Sequence, residues 1–247
     1  MDRAAMRDRR RERWVERAEK VRDAFGLVFV LVLTTYVLMS LLGDRGWPAV
    51  VISLTVGATS VVALTSSHVA HRFVRLALWL SLLSVLMTAI SAATDTLLWL
   101  NLAALVQVCL LALAMGAVLR RVVLTPNVGS RTILGAISVY AVLGVLFTFV
   151  YAAIDRLQSD PFFEGEAHAR GGDFLFFSYT TLTTTGFGDL VPGGQPGRMI
   201  SGLEMMIGQI FLVTLVAGLV ALWRPGEGLR KRREQRAGPA RPETVDS

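Results

Sequence analysis

Residues 173–192 read DFLFFSYTTLTTTGFGDLVP. The opening part, Asp173–Thr183, is apolar and aromatic, and a helix of that length reaches only roughly 16 Å. A bilayer core measures about 30 Å, so this stretch is too apolar for water and too short to cross. It is expected as a re-entrant helix, allowed only where neighbouring helices bury it or where it lines a watery cavity. Asp173 stands where a carboxylate suits the first free N–H groups. The partially negative C-terminal end then points towards the membrane centre, where a cation is favoured.

The surroundings fit that reading. The stretch lies inside the 44 residues Asp155–Arg198, whose first part is acidic and irregular: Asp160, Pro161, Glu164, Glu166, Gly171, Gly172. On either side run apolar blocks long enough to span: Ala24–Leu42, Trp47–Leu64, Leu76–Ala93, Leu97–Leu119, Ile133–Ile154 and Met199–Trp223. They lack the alternation of barrel strands, so they are helices. The fold class expected is an all-α membrane protein, six transmembrane helices with a re-entrant helix and loop between the fifth and sixth. With 53% apolar residues and a mean hydropathy of +0.53, the 247-residue chain is no disordered protein. Cys109 is the single cysteine, which excludes a disulfide framework.

Charge gives the orientation. The net charge is +6, but 21 of the 25 Lys and Arg residues fall on one side of the six blocks. Arg45, Arg156, Arg170 and Arg198 are left for the other. The positive-inside rule puts both termini in the cytoplasm of a multi-pass cell-membrane protein. Basic residues placed this way read as topology and lipid contacts, and no nucleic-acid partner is expected. The first 23 residues are expected to be a charged cytoplasmic segment rather than a cleavable signal, and residues 225–247 a basic, disordered tail.

The run Thr184–Thr185–Gly186–Phe187–Gly188–Asp189 resembles the pore signature of potassium channels, T-x-G-[YF]-G-D. Phe176, Phe177 and Ser178 fit the family's pore helix, and Pro192 its exit turn. The resemblance covers residues 132–224, a pore domain of outer helix, pore helix, selectivity filter and inner helix. Residues 24–124 are then a four-helix peripheral bundle carrying no family signature. In the family, carbonyls from four chains replace the water that a potassium ion sheds. The resemblance therefore implies a homotetramer, with Thr184, Thr185, Gly186 and Phe187 binding K+ through backbone carbonyls and the Thr184 hydroxyl. Alternate glycines, Gly186 and Gly188, supply backbone angles that align those carbonyls. Asp189 is expected to anchor the loop from behind. Phe187 stands where tyrosine is commoner and lacks a tethering hydroxyl; Thr185 replaces valine; Thr180 stands where relatives often carry a carboxylate or valine.

Control of opening is less legible. A voltage sensor needs Arg or Lys at every third position of the fourth helix, and residues 97–119 contain none. The residues after Trp223 are too few for a ligand-binding domain, so no gating of that kind is expected from this sequence. Gly208 sits at the family's hinge position, or serves close helix packing. Glu204, the only ionisable residue inside a span, is expected to support the filter through Tyr179 or Thr180, or to be purely structural. His68 and His71 read as surface histidines, and His168 as a pH-sensing candidate at the mouth. No cofactor is expected beyond K+ as permeant ion, and no nucleophile–base grouping suggests an enzyme. The rival readings are a weakly selective cation channel, a transporter subunit, disfavoured because such chains carry four loops, and a non-conducting scaffold or sensor with a vestigial loop.

Overall fold

The computed structural model of the chain describes residues 25–42, 45–67, 69–124, 130–165 and 169–222. The charged N-terminal segment, the basic tail, Glu166, His68 and His168 lie outside the described residues. In chain order the helices are α1 (Phe25–Leu42), α2 (Trp47–Ser66), α3 (His71–Thr94), α4 (Leu97–Leu124), α5 (Ser130–Leu157), α6 (Gly171–Leu182) and α7 (Gln195–Leu222). All but α6 are long and apolar enough to cross a membrane. This is an all-α membrane protein with six candidate spans and a short helix between the fifth and sixth.

Local chemistry sets the ends. Pro48 occupies the first turn of α2, where its missing N–H costs nothing, and Asp95 closes α3 in the left-handed region at φ 55°. Several helices run past the apolar blocks, furthest at α3, α4 and α7. Helix α3 begins at His71, ahead of Leu76, and takes in Arg72 and Arg75. Long basic side chains lie along an apolar surface with their heads in water, so they need not end a helix. Helix α4 runs past Leu119 through Arg121, whose charge suits the negative helix end and whose guanidinium lies 5.9 Å from the Phe25 ring centroid. Helix α7 starts at Gln195, with Pro196 in its first turn.

Helices α2, α3 and α4 pack on one another, and α4 also packs along α5. Helix α1 bridges α2, α5 and α6. The four N-terminal helices thus reach the α5 of their own chain through α1 and α4. Inside them Gln107 Nε2 donates to Ser53 Oγ at 2.8 Å, and Ser53 and Ser84 hydroxyls share a bond of 2.9 Å. Buried polar groups paired in this way fix how the helices are rotated about their axes. Helix α5 is the hub: 72% of its most apolar window is buried, against 17% for α7. Among the described elements α7 touches only α5 and α6, and the rest of its apolar surface is open.

Candidate functional site

The short helix α6 is fixed at its start by the residue singled out for that task, in a different position. Asp173 stands third in the helix, not ahead of it, and its Oδ2 reaches back to accept the Arg170 N–H at 2.7 Å. This is the returning half of a capping box, which satisfies an N–H ahead of the first turn. The inward face of α6 carries Phe174, Leu175, Phe177, Ser178, Thr181 and Leu182, all buried.

At the other end the chain leaves α6 through a left-handed turn. Thr184 has φ 57°; its N–H donates to Thr181 O at 2.9 Å, and the Thr185 N–H to Thr180 O at 2.8 Å. That pair of bonds is a Schellman motif, which closes the last carbonyls of a helix and usually places glycine at the left-handed position. Threonine there costs about 1–2 kcal/mol of backbone strain. Gly186 (φ 48°) and Gly188 (φ 81°) follow, at the alternate positions the sequence pattern assigned to glycine. Thr183 through Asp189 are exposed.

Phe187 has a partner despite lacking a hydroxyl. Its ring stacks on Phe176 of α6, centroids 5.9 Å apart and planes 11° from parallel. Offset stacking of this kind contributes about 0.5–1.5 kcal/mol beyond area burial. Asp189 Oδ1 accepts the N–H of Leu190 at 3.0 Å, and the Thr180 hydroxyl donates to Phe177 O at 3.0 Å. Among the described residues, then, neither of these bonds ties the loop to α6. A concave space of about 420 Å³ lies beside the loop, bordered by Phe177, Thr184, Phe187 and Met205.

Beyond Asp189 the chain is stapled to the segment that precedes α6. The Glu164 N–H donates to Val191 O and the Gly193 N–H to Phe162 O, both at 2.9 Å, around a bridge between Phe163 and Pro192. Arg198 Nε donates to Pro192 O at 3.0 Å, and its Nη2 pairs with Glu164 Oε1 at 2.6 Å. Phe162 and Phe163 are 1% exposed and pack edge-on and stacked against Phe174 and Phe177. The irregular segment before α6 therefore has an aromatic core, which composition did not reveal. The phenylalanine pair next to Pro161 was the available signal.

Glu204 is fully buried, and its partners differ from those expected. Oε2 accepts the Tyr151 hydroxyl of α5 at 2.5 Å, and Oε1 the Ser178 hydroxyl of α6 at 2.6 Å. Ser178 Oγ also lies 2.8 Å from Gly144 O. Tyr179 instead donates to Ala141 O at 2.7 Å, its ring pressed on Gly144, where a Cβ would come within 2.6 Å of it. One carboxyl thus joins α5, α6 and α7, with Ser178 of α6 as the link in place of Tyr179 or Thr180. Tyr151 and Gly144 went unmarked in the sequence because nothing local shows that their helix faces meet.

Gly208 lies at a crossing. A Cβ added to it would overlap the carbonyl oxygen of Leu182, the last residue of α6. That oxygen also accepts the Tyr140 hydroxyl at 3.0 Å, and the Tyr140 ring stacks on Phe211. The C-terminal turn of α6 is held between α5 and α7.

This helix–short helix–loop–helix module is the part of the chain that comparison with known protein families reaches. Residues 137–224, about a third of the chain, match the family model described as "Ion channel". A protein of Rhizobium etli described as a cyclic nucleotide-gated potassium channel is 37% identical over 95 residues, which cover 37% of this chain. The chain spans only 24% of that relative's length. These two comparisons support the resemblance to the potassium channel family. No solved structure matches the chain.

Proposed function

We infer that the chain is one subunit of a potassium-selective channel that conducts K+ passively. Four copies surround an axis, and the carbonyls of Thr184, Thr185, Gly186 and Phe187 with the Thr184 hydroxyl replace the water around the ion. The observation that carries this reading is the exposed loop Thr183–Asp189, launched from the end of a helix too short to span and held behind by Glu204. Gly186 and Gly188 at positive φ, the aromatic stack of Phe187 and the stapled exit support a loop of fixed shape. The open apolar face of α7 and the concave space beside the loop suit further copies of the chain.

The partners are therefore K+, membrane lipid and three further copies, with both termini cytoplasmic, a placement that rests on the asymmetry of basic residues. Voltage gating of the usual kind is not part of this reading, because residues 97–119 carry no basic side chain. Asp189 colours the outer mouth negative. Gly208 lets α7 approach Leu182, and that contact favours the packing role over the hinge.

The test is a flux assay on purified protein in liposomes comparing potassium, rubidium, sodium and barium. Potassium and rubidium should pass, sodium should be excluded and barium should block. Sodium flux equal to potassium flux would favour a weakly selective cation channel, and absence of flux a non-conducting scaffold.

A further inference from the structure

Helix α3 buries little of itself: Ala77, Ser84 and Thr88 are its buried residues. Where it crosses α2 the helices nearly touch, since a Cβ on Gly57 would come within 2.9 Å of the Ser81 Cβ. The small residues Gly57, Ala58 and Ser81 form the floor of a groove of about 790 Å³ between the two helices. Its walls are apolar, with Leu54, Trp79 and Val85 among them, and one lining residue is charged, Arg75. Volumes of this order hold whole small amphiphilic ligands.

Charge and length name the occupant. Arg75 lies in the second turn of α3, next to the α2–α3 connection, and is exposed with no ion pair among the described residues. Arg72 stands at the same end, its guanidinium 5.0 Å from the Phe73 ring centroid. From Arg75 to Val85 the helix rises roughly 15 Å, half the hydrocarbon thickness of a bilayer. A cation at the rim and an apolar trough one leaflet deep match a phosphate headgroup carrying an acyl chain. Trp79, one turn from Arg75, stands near the rim, where an amphipathic ring is favoured.

We propose that the α2–α3 groove is a retention site for an anionic phospholipid, its phosphate on Arg75 and one acyl chain laid along Ala58 towards Val85. The planar guanidinium fork suits a phosphodiester, and a lipid bearing net negative charge has no opposing headgroup cation to offset the attraction. The site is independent of the conduction loop, so it stands whether or not the chain selects potassium.

The test uses the full chain purified with graded detergent washing, phosphatidylglycerol and phosphatidylcholine of identical acyl chains being supplied in equal amounts and the retained lipid weighed by native mass spectrometry. The parent protein should retain phosphatidylglycerol about tenfold over phosphatidylcholine. Arg75→Gln should abolish that preference while keeping the assembly's mass and melting temperature. Ala58→Trp, which fills the trough, should lower retention of both lipids. Inorganic phosphate at millimolar concentration should not displace the lipid, because it lacks the tail. Equal retention of the two lipids by the parent, unchanged preference in Arg75→Gln, or displacement by phosphate alone would overturn the proposal. Arg75 is exposed, so its variant keeps the question answerable even if Ala58→Trp fails to fold.

Discussion

At the scale of single residues, Glu204 and Thr184 carry the sharpest consequences. The Glu204 carboxyl faces two hydroxyls, and Ser178 has one hydrogen to share between it and Gly144 O. An amide in its place offers an oxygen to Tyr151 and an N–H to Ser178, whose own hydrogen then goes to Gly144. Glu204→Gln should therefore conduct and melt like the parent, whereas Glu204→Ala should lose about 1–3 kcal/mol by taking the carboxylate partner from the buried Tyr151 hydroxyl, Ser178 keeping Gly144 O. Thermal unfolding of the purified protein beside liposome flux checks both. At Thr184 two effects separate. Glycine relieves the left-handed strain but loosens the unfolded chain, so Thr184→Gly should stay within about 1 kcal/mol of the parent. Its flux should nevertheless fall sharply, because the hydroxyl is gone. A variant that conducts normally would remove that hydroxyl from the list of ion ligands.

At the scale of elements, the outer staple and the α6 junction make opposite predictions about stability. The Arg198–Glu164 pair is half exposed, so Glu164→Gln should cost under about 1 kcal/mol. Phe162 is buried among four aromatic rings, and Phe162→Ala should cost about 3–5 kcal/mol. Both variants loosen the exit of the loop, and both should show faster decay of flux, which time-resolved recording would reveal. Gly208→Ala should act differently: its methyl displaces Leu182 and with it the loop that follows, so ion preference as well as opening should change. Retained selectivity with altered opening would restore the hinge reading. Much of this level was legible in the sequence. The shortness of Asp173–Thr183 announced a helix too short to span, and glycines at alternate places announced positive φ. The aromatic core at Phe162 and Phe163 was not, because neighbouring Asp160, Pro161 and Glu164 dilute it below any periodic signal. Nor was the start of α3, where Arg72 and Arg75 imitate a loop although both are helical.

At the scale of the whole molecule, the six spans were readable from length and composition alone, since hydrocarbon leaves the backbone few options. How they pack was not. The meeting of Tyr151, Ser178 and Glu204 depends on the rotation of three helices, and apolar blocks facing lipid carry no strong moment to report it. The contact of α1 and α4 with the α5 of their own chain is likewise a property of surfaces, not of any segment. One prediction belongs here. With no basic residue between Leu97 and Leu119, opening in planar bilayers should show no steep dependence on voltage. A conductance rising tenfold over a few tens of millivolts would require a charge carrier elsewhere in the chain.

The clamp on the last turn of α6 has a wider mechanical meaning. Tyr140 and Gly208 grip Leu182 from two helices, while the stretch of α7 beyond, with Val213 and Val216 exposed, bears on little of its own chain. Within one chain, then, α7 is tied to its neighbours at the Leu182 crossing and much less so beyond it. A load on that far stretch would reach the loop only through the Leu182 contact.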